Sequence, residues 1–296
     1  MRSAWSRREA ARTAALDVRA LGRRDASQAV AFLAREPVRD VFITSRIVSD
    51  GALGPPGWSP IWGAFDRDER LRGVIHLGPN LVPAVDDLEV LDDLARLASG
   101  PGPTRMLVGE RQAVERLWQL VGGSYPAPRE VRARQFVYAV EPVALTVPRR
   151  RAPRGRARLA RRGDEERVLE LSAAMYLEEM GEDPLARDPA GYRRRVRVLT
   201  DRSWTYVYEL DGELVFKMDV GCASPHGAQI QGVYVPRERR GRGLGTHAMG
   251  ACCALAFQRH PALSLYVNDF NRPAVALYER LGFRRQRFDF QTIMLP

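Results

Sequence analysis

The sequence predicts an α/β fold, with an α+β mixed sheet, arranged as two units in tandem. Three observations carry this. Stretches of strand period and helix period alternate through most of the 296 residues, as βααβββαβαβ in the second half and more faintly in the first. Residues 228–235 read as a strand that passes through an arginine- and glycine-rich turn into a helix from Leu244. Residues 263–267 read as a second strand, which turns at 268–271 into another helix.

The first unit is expected over 16–142, behind an N-terminal arm at 1–15. A strand at 18–21 precedes helical stretches at 26–35 and 38–48. Strands 61–65 and 71–76 form a hairpin across 66–70. Then come a strand at 81–84, a helix at 87–98, a strand at 106–108, a helix at 110–120 and a strand at 135–140. An Arg/Pro-rich linker at 143–155 leads to the second unit, 156–296. Its strand 156–160 is followed by a helix at 164–180, with Val168, Leu171, Ala174 and Met175 on its apolar face, and by a helix at 190–199. Strands 204–210 and 213–220 turn on Asp211-Gly212, a pair suited to a tight hairpin. In the helix from Leu244, the spacing of Met249, Cys252, Cys253, Leu255 and Ala256 suits burial. Pro273 fits the first turn of the last helix. Ala274, Leu277, Tyr278 and Leu281 share one face of it, and Gly282 ends it.

The turn at 236–246 carries the chemistry. Pro236 cannot continue a ladder, and Gly241, Gly243 and Gly245 let the backbone fold tightly with its amides inward. A helix that starts there aims unsatisfied N–H groups and the positive end of its dipole at one spot, which suits a phosphate. Arg237, Arg239, Arg240 and Arg242 surround that spot with charge. The spacing fits neither G-x-x-x-x-G-K-[ST], for want of a lysine, nor G-x-G-x-x-G, since position 246 is Thr. It fits [RQ]-x-x-G-x-G through Arg240, Gly243 and Gly245.

That loop resembles the pyrophosphate loop of the GNAT (GCN5-related) N-acetyltransferases, which bind acetyl-coenzyme A. A second motif supports the likeness. Val267, Asn268, Asn271, Ala274, Leu277, Tyr278, Gly282 and Phe283 are similar, in order and distance, to the family's closing segment V-N-x-x-N-x-x-A-x-x-L-Y-x-x-x-G-F. The resemblance covers 156–296 and implies a GNAT fold there, with acetyl-CoA as co-substrate. The first half looks like a degenerate GNAT-like copy, so that two tandem GNAT-like domains are expected. Laid over the second half, Trp118 meets Tyr278, Gly109 meets Asn268 and Gln112 meets Asn271. No glycine–arginine loop lies between Leu81 and Leu97, so this copy is expected to lack a cofactor site, to pack on the second and to help shape the acceptor pocket. The chain also resembles bacterial two-domain proteins with an uncharacterised domain before a GNAT domain. Tandem GNAT enzymes such as mycothiol synthase are a looser comparison.

The resemblance implies cofactor contacts at three places. The pantetheine arm would lie as an added strand along Val233, Tyr234 and Val235. The pyrophosphate would sit on Arg240, Gly241, Arg242, Gly243, Leu244, Gly245 and Thr246. Asn268 and Asn271 would meet the arm, although Asn271 is equally placed to cap the last helix. Tyr278 occupies the position of the family's general acid, which protonates the departing sulfur; the other reading is a core aromatic. The general base stays open. Many relatives carry a glutamate on the strand before the loop, where this chain has Gln229 and Gln231. Glu178, Glu179 and Asp219 are the candidates. Lys217 stands beside 45 arginines as the single lysine and shares a strand face with Val215 and Asp219. Charges inside a covered sheet need partners, and a lysine tolerates neutralisation where arginine does not. A structural ion pair is the alternative.

The expected activity is therefore transfer of acetyl from acetyl-CoA to an unidentified amine, on a small molecule or peptide, by direct attack in a ternary complex. The alternative is a non-catalytic acyl-CoA-binding regulatory protein. The net charge of +10 suggests nucleic acid, but no helix-turn-helix or zinc-finger spacing accompanies it, and no nucleic-acid partner is expected. The arginine excess at 148–162 reads either as a solvated linker or as a second site for an acidic partner or the cofactor's 3′-phosphate. No apolar run approaches the ~20 residues of a membrane span. The N-terminal residues show no apolar signal region, so a cytoplasmic protein is expected. The three cysteines, two of them adjacent, read as buried apolar residues in a reducing compartment. The four histidines are scattered, and no metal is expected.

Overall fold

The computed structural model describes residues 16–49, 51–53, 60–100, 102–147 and 155–296. The expected arm at 1–15 and residues 148–154 of the arginine-rich linker lie outside them. The chain divides into two compact units, Met1–Gln135 with Phe288–Pro296, and Phe136–Arg287.

In the first unit the elements run β1 (Asp17–Ala20), α1 (Ala26–Leu33), α2 (Val41–Val48), β2 (Ile61–Phe65), β3 (Leu71–His76), β4 (Asn80–Val85), α3 (Val90–Leu94), β5 (Met106–Glu110), α4 (Arg111–Val121) and the start of β6 (Glu130–Val140). Strands β1 to β5 are neighbours in sequence order. The hairpin β2–β3 sets Ile61 against His76, as the alternation of 61–65 and 71–76 leads one to expect. Strands β4 and β5 are parallel, with registered pairs only at Asn80–Met106 and Leu81–Leu107. The core of this unit gathers Ile75, Leu81, Leu91, Leu94, Leu107, Val114 and Leu117.

The second unit takes the end of β6 and continues with β7 (Arg156–Leu159), α5 (Glu165–Met180), α6 (Pro184–Arg187), α7 (Pro189–Asp201), β8 (Thr205–Leu210), β9 (Glu213–Ser224), β10 (Gly227–Tyr234), α8 (Leu244–Ala256), β11 (Leu263–Asn268), α9 (Arg272–Arg280) and the start of β12 (Arg284–Met294). Its strand order is β6-β11-β10-β9-β8-β7. Strands β7 to β10 pair antiparallel and β10–β11 parallel. Helix α8 buries Met249, Cys252 and Cys253 against Tyr206, Phe216 and Met218. Each large side chain buried there contributes roughly 1.5–3 kcal/mol. All three cysteines are buried, and none forms a disulfide among the described residues. Among the described residues no helix is long and apolar enough to cross a membrane.

Three details differ from the sequence expectation. The unit boundaries fall at 136 and 287 rather than 142 and 156. Tyr138 and Val140 belong to the same core as Tyr278 and Phe283, and the Thr146 N–H donates to the Leu281 carbonyl at 3.0 Å. The end of β12 belongs instead to the first unit, where it pairs antiparallel with β5, Met294 against Met106. Helix α5 buries Val168, Leu169 and Ser172, whereas Leu171 and Met175 are only partly covered. The apolar run Ala173-Ala174-Met175-Tyr176-Leu177 blurs its period. The short α6 was not expected; Asp183 caps it, its carboxylate accepting from the Leu185 N–H at 2.9 Å, with Pro184 in the first turn.

Candidate functional site

The arginine–glycine loop leaves β10 at Tyr234, makes a short turn at Arg237–Arg239 and enters α8. Gly241 and Gly243 have φ of 78° and 79°, a region that glycine enters without steric cost. Gly243 is the residue before the helix, and no side chain caps the amides that follow. The first intrahelical bond runs from the His247 N–H to the Gly243 carbonyl at 3.2 Å. The amides of Leu244, Gly245 and Thr246 therefore stand ahead of the helical ladder at its positive end. Gly245 permits close packing, since a Cβ there would lie 3.3 Å from Val235 and 3.4 Å from Leu277. The loop and α9 are thus neighbours.

Strand β10 opens beside the loop. Its parallel ladder with β11 is registered only at Ala228–Leu263 and Gln229–Ser264. Towards its other neighbour, Gln231 faces Asp219 and Tyr234 faces Lys217. Two residues, Gly232 and Val233, therefore oppose Met218 alone, which makes a β-bulge. Gly232 has φ of 62°. The Lys217 ammonium donates to Asp219 Oδ2 at 2.7 Å and to the Gly232 carbonyl at 3.2 Å. The Thr205 hydroxyl donates to Asp219 Oδ1 at 2.9 Å. Lys217 and Asp219 are buried. Both Asp219 oxygens are engaged, so the arrangement is that of an internal ion pair rather than of an open base.

Tyr278 is buried in α9, its ring 6.4 Å from that of Tyr138 and 5.8 Å from that of Phe283. Among the described residues no protein group hydrogen-bonds its hydroxyl. Burial pushes that hydroxyl well above its ordinary value, and the fields of Glu179 and Cys253 add to the effect. It therefore holds its proton at neutral pH, as a proton donor must. Asn271 caps α9 by accepting from the Ala274 N–H at 3.3 Å.

The two adjacent glutamates differ. Glu178 accepts from the Tyr234 hydroxyl at 2.7 Å and from Arg240 at 2.9 Å, and pairs with Arg237 at 3.1 Å. Burial alone would raise its carboxyl; Tyr234, Arg240 and Arg237 outweigh this and hold it below its ordinary value. That makes it a weak proton acceptor and ties α5 to the loop. Arg240 is fixed further by its bond to the Val235 carbonyl at 2.8 Å. Glu179 is exposed, and its field also helps burial push the Tyr192 hydroxyl up to about 12.

Two features escaped the sequence reading. One is the bulge at Gly232, for which a glycine inside a strand is the available signal. The other lies in the first unit, where β4 and β5 part after their two registered pairs. There Arg39 donates twice to Asp40, both at 2.8 Å, and also to Glu110 at 3.2 Å, Asp86 at 3.1 Å and the Val85 carbonyl at 3.2 Å. One buried guanidinium bridges the ends of the two strands. No group of side chains able to hold a metal occurs among the described residues.

Comparison with known proteins agrees with this geometry. Residues 168–283 match the Acetyltransferase (GNAT) family. Residues 59–167 match a Domain of unknown function (DUF4081). A mycothiol acetyltransferase of Nocardioides sp. (strain ATCC BAA-499 / JS614) is 32% identical over 171 residues, which cover 51% of this chain and 58% of that one. The chain thus spans little more than half the length of that relative. A Drosophila protein of solved structure is similar over 95% of this chain and 98% of its own, with a TM-score of 0.66 and 14% identity. A tandem GNAT protein from the clavulanic acid biosynthesis pathway is similar over 94% of this chain and 98% of its own, at a TM-score of 0.52 and 16% identity. With the glycine loop, the uncapped helix and the closing motif in place, residues 168–283 match the GNAT acetyltransferase family and follow residues that match a domain of unknown function.

Proposed function

We propose that the second unit is an acyl-coenzyme A-dependent N-acetyltransferase. The observation that carries this is the uncapped N-terminus of α8, entered through two left-handed glycines beside the open edge of β10. The amides of Gly243 to Thr246, with Arg240 and Arg242, hold the cofactor's pyrophosphate. The backbone at Val233 to Val235 takes the pantetheine arm as an added strand, and an N–H there polarises the thioester carbonyl. An amine attacks that carbonyl carbon directly, the C–S bond breaks, and Tyr278 gives its proton to the departing thiolate. We assign the removal of the amine proton to Glu179 on the ground that its field reaches Tyr278, the proposed proton donor. Asn271 acts as a helix cap. The first unit is a GNAT-like copy without a cofactor site, its parted strands bridged by Arg39 instead. Three buried cysteines outside any disulfide fit a reducing, cytoplasmic setting.

Calorimetry tests the loop. Gly243→Val forces a β-branched residue into φ of 79°, and Gly245→Val crowds Val235 and Leu277. Each should abolish acetyl-CoA binding while the protein stays folded. Unchanged affinity in both would remove the loop from the site. Thiol release from acetyl-CoA, screened over small amines, amino acids, peptides and aminoglycosides, then identifies the acceptor. A second reading, a non-catalytic acyl-CoA-binding regulatory protein, draws support from Gln229 and Gln231, which stand on the strand before the loop where many relatives carry a glutamate. Tight acetyl-CoA binding with no transfer to any amine in the screen would favour it.

A further inference from the structure

We propose that Lys217 and Asp219 form a positioning staple that holds the β10 bulge in the shape that presents Val233 and Tyr234 to the acyl arm. This rests on the acyl-CoA reading above. A bulge leaves backbone groups outside the ladder, and in a covered sheet an unpaired carbonyl is costly. The Gly232 carbonyl is such a group, and Lys217 supplies its donor from the neighbouring strand at 3.2 Å. The ammonium is neutralised by Asp219 at 2.7 Å, and Asp219 is anchored in turn to Thr205 on the next strand. Three strands, β8, β9 and β10, are thereby fastened at one point.

The fit is close enough to dictate residue types. A Cβ on residue 232 would come to 2.6 Å from Asp219 Oδ2 and 3.1 Å from Lys217 Nζ. The pair therefore lies directly beneath the glycine, whose φ of 62° sets the bulge. An arginine here would bring five N–H donors in a rigid plane to a pocket that offers one carboxylate oxygen and one carbonyl. A compact ammonium on a flexible stem suits the space. That accounts for the single lysine in a chain with 45 arginines. A pair needed only to fill the core has no reason to sit at the bulge that adjoins the cofactor loop.

Hydrogen exchange of the full chain, with and without acetyl-CoA, tests the staple. The double variant Lys217→Met, Asp219→Asn removes both charges together, so that neither is left buried alone. In the parent, acetyl-CoA should protect the amides of both 232–235 and 241–246. In the variant, protection at 241–246 should persist and the affinity for 3′-phosphoadenosine 5′-diphosphate, which keeps the pyrophosphate but lacks the pantetheine arm, should stay within about threefold, whereas protection at 232–235 is lost and acetyl-CoA affinity falls towards that of the truncated ligand. Thr205→Val, which removes only the outer anchor, should show the same pattern to a smaller degree and decides the matter if the double variant does not fold. Equal protection of both segments in folded variant protein would overturn the staple, as would their loss in equal measure. If the parent itself gains no protection from acetyl-CoA, the acyl-CoA reading fails and the staple falls with it.

Discussion

Replacing Tyr278 by Phe separates chemistry from packing. The ring is buried between Tyr138 and Phe283, and the substitution keeps it. The hydroxyl has no protein partner among the described residues, so its loss breaks no hydrogen bond. The fold should change in stability by less than about 1 kcal/mol. Acetyl-CoA affinity should be unchanged. Turnover should fall by ~10²-fold or more, equivalent to about 2.7 kcal/mol of transition-state stabilisation. The loss belongs in kcat as well as kcat/KM, because the bond to sulfur matures only as the C–S bond breaks. The assay is single-turnover acetyl transfer on folded, cofactor-saturated protein, beside thermal unfolding of the same sample. A rate within about threefold of the parent would refute the reasoning and make Tyr278 a core aromatic. So would a rate loss that vanishes when corrected for the folded fraction.

Two further outcomes are expected. Asn271→Ala removes the cap of α9 and should cost about 1 kcal/mol in urea unfolding with acetyl-CoA affinity nearly intact; a large loss of affinity at unchanged stability would instead place Asn271 on the cofactor arm. Titration should give one acetyl-CoA per chain, and Arg39→Met, which leaves the buried Asp40 carboxylate without its partner, should destabilise the first unit by about 3–5 kcal/mol without changing that stoichiometry. A second binding event lost with Arg39→Met would show that the first unit carries a site.

What could be read from the sequence followed local rules. The β2–β3 hairpin was read to the residue, because alternation and the polar turn at 66–70 agree. The glycine loop and the strand–helix after it were read for the same reason: φ demands and helix starts are written locally. Long-range pairing is not. Nothing in the period of 284–294 says that its end pairs with Met106, so the division of β6 and β12 between units was missed. Charged residues were legible only in part. The shared strand face of Lys217 and Asp219 called for partners, but the Gly232 carbonyl and the Thr205 hydroxyl that complete the set come from other strands, and Glu178 meets Tyr234, Arg240 and Arg237 only in the fold. Gln229 and Gln231 are partly buried and exposed respectively, and neither supplies the missing strand carboxylate.

The allocation of β12 to the first unit bears on how the chain is made. Ordinarily an N-terminal domain emerges from the ribosome and closes before the next is translated. Here the strand that pairs with β5 is encoded after the whole second unit, so the first must wait with the β5 edge bare until residues 288–296 appear. An exposed edge is a template for the wrong strand. Nascent chains arrested anywhere between 136 and 287 should therefore be the ones most dependent on chaperones, and cutting the gene at the arginine-rich linker would yield two incomplete fragments rather than two domains.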